Sequence, residues 1–277
     1  MSGLVIYTDL DGSLLDHHDY SHAPADPLLW ELEQLGIPVV PCTSKTRAEL
    51  LPIREELHNA HPFIAENGAA VFIPIGYFPD RPEDTEARDG FWIKQFVQPR
   101  SHWLEVIHSM PARFGDRFTS FNDMSVQRIV ELTGLSTTAA RRAALREFGE
   151  PLHWHDAHAD PAELLVALQE RGARVLRGGR FLHVSGQCDK GSALQWLHRI
   201  YRAHGGEAPL HSLAIGDSHN DVAMLEAADH ALVIRSPAHP PPRLRREHAI
   251  TISTLTGPAG WNADVRQILK KLSISRR

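Results

Sequence analysis

Short apolar runs alternate with helical stretches through the first 65 residues, and this alternation constrains the fold more than any other feature of the chain. Leu4-Val5-Ile6-Tyr7-Thr8 is an unbroken β-rich run, the pattern of a strand buried on both faces. Residues 27–35 place Leu28, Leu29, Leu32 and Leu35 at helical spacing, with Gly36 as a stop. Residues 37–42 read as a second strand, 46–57 as a second helix and 63–65 as a third strand. Strand, helix, strand, helix, strand at this pace predicts βαβ units and a parallel sheet. Glu66-Asn67-Gly68-Ala69 then carries an Asn-Gly turn signal ahead of Val71-Phe72-Ile73, which predicts a hairpin.

The alternation breaks at residues 79–90, a stretch with two prolines, many charges and little periodicity that reads as a linker. Beyond it come strands at 91–97, 152–155, 174–176 and 181–184, with helices at 101–114, 136–147 and 161–171. After Gly186 the earlier pattern resumes, with a helix at 191–201, strands at 210–215 and 231–234, a helix at 220–227 and a last amphipathic helix at 261–272. A length of 277 residues suits roughly two domains. The expected architecture is therefore α/β: a doubly wound, Rossmann-like parallel-sheet core of residues 1–80 and 187–277, interrupted by an inserted α+β cap at 81–186.

The charged residues gather where predicted strands end. Asp9-Leu10-Asp11-Gly12-Ser13 follows the first strand, and open parallel sheets bind ligands beyond the carboxyl ends of their strands. In extended backbone Asp9 and Asp11 point the same way, and two such carboxylates call for a cation or a shared proton. Gly216-Asp217-Ser218-His219-Asn220-Asp221 follows a later strand in the same manner. Asp217 is suited to complete a magnesium site with Asp9, because magnesium takes hard oxygen ligands. Asn220 and Asp221 serve equally well as helix caps. Thr43-Ser44 closes the second strand with hydroxyls suited to phosphate. Lys190 opens a helix, against the macrodipole preference, and so calls for an anionic partner.

Together Asp9-Leu10-Asp11-Gly12-Ser13, Thr43, Lys190 and the segment from Gly216 to Asp221 resemble the four motifs of the haloacid dehalogenase superfamily of phosphatases. The insert, preceded by Glu66-Asn67-Gly68-Ala69, resembles the α+β cap of the Cof-like branch. Thr43-Ser44-Lys45-Thr46, Thr133-Gly134-Leu135 and Arg177-Gly178-Gly179-Arg180-Phe181 resemble the mannosyl-3-phosphoglycerate phosphatases within it. Ser13 departs from the superfamily's usual threonine, and Ser44-Lys45 from the Gly-Arg of general Cof-like members.

The resemblance implies a Mg2+-dependent phosphatase. Asp9 is then the nucleophile that forms an aspartyl-phosphate, and Asp11 the acid and then the base. The Asp9 carboxylate, the Asp11 main-chain carbonyl and Asp217 hold the metal. Thr43, Ser44 and Lys190 hold phosphate oxygens, Asn220 steadies the site, and Asp221 orients Lys190 or metal-bound water. Arg180, in the cap, is the candidate for a substrate carboxylate, with a hairpin turn bearing two solvated arginines as its bland alternative. The expected substrate is a small phosphorylated sugar-glycerate, mannosyl-3-phosphoglycerate, dephosphorylated to mannosylglycerate. Another sugar phosphate, the glucosyl analogue, a phosphomutase and a non-catalytic sugar-phosphate-binding regulator are the other readings.

Several signals are weaker. His153-x-His155-x2-His158 reads as edge or surface histidines because no ligand set closes around it. The proline- and arginine-rich run at 237–246 reads as a rigid loop before the last strand. Trp92, Trp103 and Trp154, assigned to the cap, suit core packing or a sugar face. A formal charge of −5 does not suit a dedicated nucleic-acid binder. Cys42 and Cys188 form no disulfide framework or metal knuckle. With no apolar run that spans a bilayer and no basic leader before Asp9, the expected location is cytoplasmic. Oligomeric state is not legible.

Overall fold

The computed structural model describes residues 3–155, 160–177, 180–205 and 209–272. Two compact units divide the chain: Met1–Ser44, Ile53–Lys94 and Asp189–Arg277 form the first, and Lys45–Pro52 with Gln95–Cys188 the second.

The first unit is built on a five-stranded, wholly parallel sheet of β1 (Gly3–Thr8), β2 (Val39–Pro41), β11 (Leu210–Gly216), β12 (His230–Arg235) and β13 (Ile250–Thr256), in the order β13-β12-β11-β1-β2. Leu4, Val5, Ile6 and Tyr7 are all buried, as are Leu213, Ala214 and Ile215 on the neighbouring β11, which explains why the inner strands read as continuous apolar runs. The helices of this unit are α1 (Asp26–Gln34), α7 (Lys190–His204), α8 (Val222–Ala227) and α9 (Gly257–Lys271). The helix α2 (Arg47–Glu56) begins in the second unit and ends in the first. A reciprocal capping box starts it: Thr46 N–H donates to Glu49 Oε2 at 2.8 Å and Glu49 N–H donates to Thr46 Oγ1 at 3.1 Å.

The third predicted strand, β3 (Phe63–Ala65), meets the residues just beyond β2 through one parallel bridge, Cys42 to Ile64, and belongs to a second sheet. It pairs antiparallel with β4 (Ala70–Pro74) around the Glu66–Gly68 turn, in the expected hairpin. β5 (Glu86–Arg88) and β6 (Phe91–Gln95) complete this small sheet in the order β3-β4-β6-β5. Trp92 therefore sits buried on a strand of this sheet, in the first unit. The stretch read as a linker contains an exposed edge strand, whose lack of periodicity reflects its having no buried face.

The second unit is α+β. An antiparallel sheet of β7 (Phe118–Ser120), β8 (Glu150–Trp154), β10 (Phe181–Ser185) and β9 (Arg174–Arg177) runs in the order β7-β8-β10-β9. Trp103, Ile107, Phe114, Leu152, Leu164 and Leu182 form its main core. Its helices are α3 (Arg100–His108), α4 (Val126–Thr133), α5 (Thr137–Ala144) and α6 (Ala162–Gln169). α3 stops short of the expected residue 114 because Pro111 lacks the amide that would continue it. α4 escapes the sequence reading, although Ser125 caps it and left-handed Gly134 ends it. His155 has Nε2 2.7 Å from Thr119 Oγ1 and Nδ1 2.9 Å from the Asp116 carbonyl. His158, Gly178, Gly179 and the carboxyl-terminal Ser275-Arg276-Arg277 lie outside the described residues.

Cys42 and Cys188 are both buried, and neither is in a disulfide. Among the described residues no helix is long and apolar enough to cross a membrane.

Candidate active site

β1 and β11 are adjacent, and chain connections leave them in opposite directions, β1 toward β2 and β11 toward β12. This is the topological switch point at which a doubly wound sheet opens a crevice. Thr8 is paired with Ile215, and Asp9 N–H donates to the Ile215 carbonyl at 2.8 Å, so Asp9 and Asp217 emerge at one sheet edge. Gly12 lies in the turn that follows Asp9 and lets that turn pack against Asp217. Its φ is +78°, and a Cβ there would lie 2.6 Å from Asp217 Oδ2. A Cβ on Gly216 would likewise fall 2.5 Å from Asp221 Cβ.

At the centre lies the Lys190 ammonium, fully buried at the start of α7. It donates to Asp9 Oδ1 and to Asp221 Oδ1, each at 2.7 Å. Burial disfavours that charge, but Asp221 and Asp9 more than offset it and hold the pKa above the ordinary lysine value. Burial pushes the Asp9 carboxyl well above the usual range despite the pull of Lys190, and burial with the neighbouring Asp221 raises Asp217.

Asp221 is neither a simple N-cap nor idle. Its Oδ2 accepts from the backbone N–H groups of Asp217 at 3.1 Å and Ser218 at 3.0 Å, and from Ser218 Oγ at 3.2 Å, while Oδ1 takes Lys190. It forms the far half of a capping box with Ser218, fully buried, and fixes the lysine at the same time. Asn220 is exposed, its Oδ1 2.5 Å from Ser218 Oγ and its Nδ2 3.2 Å from Asn67 Oδ1. Thr43 is buried directly beyond β2, its N–H donating to the Ile64 carbonyl at 3.0 Å, and Ser44 is half-buried beside it.

One oxygen each of Asp9, Asp217 and Asp221 lie within 4.8 Å of one another, a grouping that does not include the Asp11 carboxylate. Both oxygens of Asp221 are occupied, which leaves Asp9 and Asp217 as side-chain donors. Three buried carboxylates facing one ammonium carry excess negative charge, and the donors are all hard oxygens. This set fits magnesium.

The structure also brings in residues that the sequence did not mark. His239, on the loop before β13, lies 3.4 Å from Asp217 Oδ2. Trp261 Nε1 donates at 3.0 Å to Thr8 Oγ1, which donates at 2.8 Å to the Asp9 carbonyl. Nothing in local spacing signals either contact, since each joins residues far apart in the chain. Arg180 is an exposed residue of the second unit and donates to the Leu132 carbonyl, whereas Arg177 pairs with Asp160.

Residues 6–77 and 179–238 match the haloacid dehalogenase-like hydrolase family. A glucosyl-3-phosphoglycerate/mannosyl-3-phosphoglycerate phosphatase of Methanococcoides burtonii is 35% identical over 96% of this chain and 97% of its own. The chain belongs to the haloacid dehalogenase-like hydrolases. A Persephonella marina protein of the same name is 36% identical over 97% of this chain and 98% of its own. The fold is shared with a solved phosphatase of the haloalkanoate superfamily from Bacteroides thetaiotaomicron. That structure is 19% identical, with a TM-score of 0.66, and the match covers 99% of this chain and 96% of the other.

Proposed function

We propose that this hydrolase is a magnesium-dependent phosphatase of a sugar-glycerate phosphate, mannosyl-3-phosphoglycerate in the first place, releasing mannosylglycerate and phosphate. The observation that carries this reading is near-full-length identity of 35% to a relative named for that activity, in a chain whose buried Lys190 holds Asp9 at 2.7 Å. The glucosyl ester is the second reading, favoured by the same relative's double name.

Asp9 attacks phosphorus in line, forming an O–P bond as the bond to the glycerate oxygen breaks. Asp11 delivers its proton to the leaving alkoxide, then takes one from the water that hydrolyses the aspartyl-phosphate. Lys190 keeps positive charge beside Asp9 and the entering phosphoryl oxygens, and Asp221 keeps Lys190 in place. Thr43, Ser44 and Asn220 are the hydrogen-bonding groups for phosphate. Asp9, Asp217 and the Asp11 carbonyl would hold magnesium, which would neutralise charge on the transferred group.

The test is phosphate release from mannosyl-3-phosphoglycerate, glucosyl-3-phosphoglycerate and a panel of plain sugar phosphates, with magnesium and with chelator. The expected result is magnesium-dependent release with kcat/KM at least about 100-fold higher for the glycerate esters. Equal release across the panel keeps the chemistry and removes the substrate. Inertness toward every ester moves the regulator reading to the front.

Arg180 is proposed for the glycerate carboxylate on its chemistry alone, a planar fork that matches two carboxylate oxygens. Arg180→Ala is expected to raise KM about ten-fold or more with kcat nearly unchanged. Unaltered steady-state kinetics would remove it from the site.

A further inference from the structure

The Glu66–Gly68 turn holds three successive residues at positive φ: Glu66 at 47°, Asn67 at 60° and Gly68 at 92°. Side-chain-bearing residues take this conformation at a cost, and usually singly. Among the described residues seven non-glycine positions adopt it, and the five others, Tyr20, His58, Asp84, Asp89 and Ala249, are all exposed. Glu66 is buried and Asn67 half-buried. Strain kept inside a packed region, beside a reactive site, points to a function that the surrounding structure enforces.

The contacts of the turn show what it holds. Asn67 N–H donates to the Thr43 carbonyl at 2.9 Å. Asn67 Oδ1 accepts from Asn220 Nδ2 at 3.2 Å, across 153 residues of chain. The backbone of Gly68 lies so close to the segment opening α7 that a Cβ would fall 2.2 Å from the Asp189 carbonyl and 2.8 Å from Lys190 N. One turn thus touches the loop after β2, the first residues of α7 and the loop after β11, the three segments that carry Thr43, Lys190 and Asn220. Asn-Gly suits the turn by backbone preference alone, but the bond from Asn220 to the Asn67 side chain goes beyond what joining β3 to β4 requires.

We propose that Asn67 is a positioning residue for the phosphate-binding groups. Its backbone amide fixes the loop carrying Thr43, and its side-chain oxygen orients the Asn220 amide, leaving the second Asn220 N–H free to meet a phosphoryl oxygen. This inference rests on the phosphatase reading above.

The test compares wild type with N67G, N67D, N220A and the N67G/N220A double variant, using kcat and KM for the best ester of the panel and a thermal unfolding curve for each protein. Glycine adopts the left-handed turn freely, so N67G keeps the fold and removes only the side chain. The expected loss in kcat/KM is about ten-fold for N67G. N67D retains an acceptor oxygen and tolerates the same backbone, and is expected to stay within about three-fold of wild type. Once N220A is present, adding N67G is expected to cost nothing further, because the group that Asn67 orients is gone. Wild-type kinetics for N67G, or losses that multiply in the double variant, overturn the inference while the phosphatase reading stands. A wild-type protein inert toward every ester overturns both.

Discussion

Asp9→Asn is expected to lower kcat for phosphate release by at least about 10^4-fold, with the unfolding transition kept as sharp as that of wild type. The substitution retains shape and removes the anionic oxygen that would bond to phosphorus. Asp9 is buried against the Lys190 ammonium at 2.7 Å, so the variant loses one ion pair. Lys190 still has Asp221 at 2.7 Å, and the burial of a charged group without any partner is avoided. Stability should therefore change far less than activity. Measurement of kcat by phosphate release, beside a urea titration, separates the two. Residual turnover within about 100-fold of wild type would remove Asp9 as nucleophile and shift attention to direct attack by water.

Lys190→Met is expected to damage both activity and stability. Methionine fills a similar volume, but Asp9, Asp217 and Asp221 then face one another in a buried space with no ammonium among them. Removal of one partner from a buried ion pair typically costs about 3–5 kcal/mol, because the remaining charge is left uncompensated. The denaturation midpoint should fall accordingly in the presence of chelator. Magnesium should restore part of that loss, since a cation among the carboxylates replaces the missing charge. Activity should stay down by at least about 10^3-fold with metal present, because Asp221 has lost the group it orients. An unchanged denaturation midpoint with chelator would show that the triad tolerates the loss of its cation and would undo the electrostatic account of Lys190.

Both outcomes depend on residues whose chemistry was legible early and whose contacts were not. The run from Leu4 to Thr8 identifies its strand because a strand buried on both faces needs apolar side chains at every position. Strands of the parallel type must carry their polar groups at their ends, so Asp9 and Asp217 could be assigned to a site before any geometry was known. The second unit was harder to read. Its helix at 126–133 has a cap, a stop and an apolar face at Val126, Ile129 and Val130, but only eight residues over which to show it.

What the sequence determined by itself is the type of sheet, the location of the reactive edge and the chemical character of the groups there. These follow from local rules: burial sets side-chain polarity along a strand, and strand ends release the chain into the crevice. Only the tertiary structure decided the pairings. It joined Lys190 to Asp9 and Asp221 across 181 and 31 residues, gave Asp221 its double duty with Ser218, and put Asn67 against Asn220. It also placed β3 mainly in a second sheet, in the hairpin with β4 that the Asn-Gly signal predicts. Local sequence limits what each segment can become, but a contact between distant segments forms only when the whole sheet closes and charges that cost too much alone are buried together.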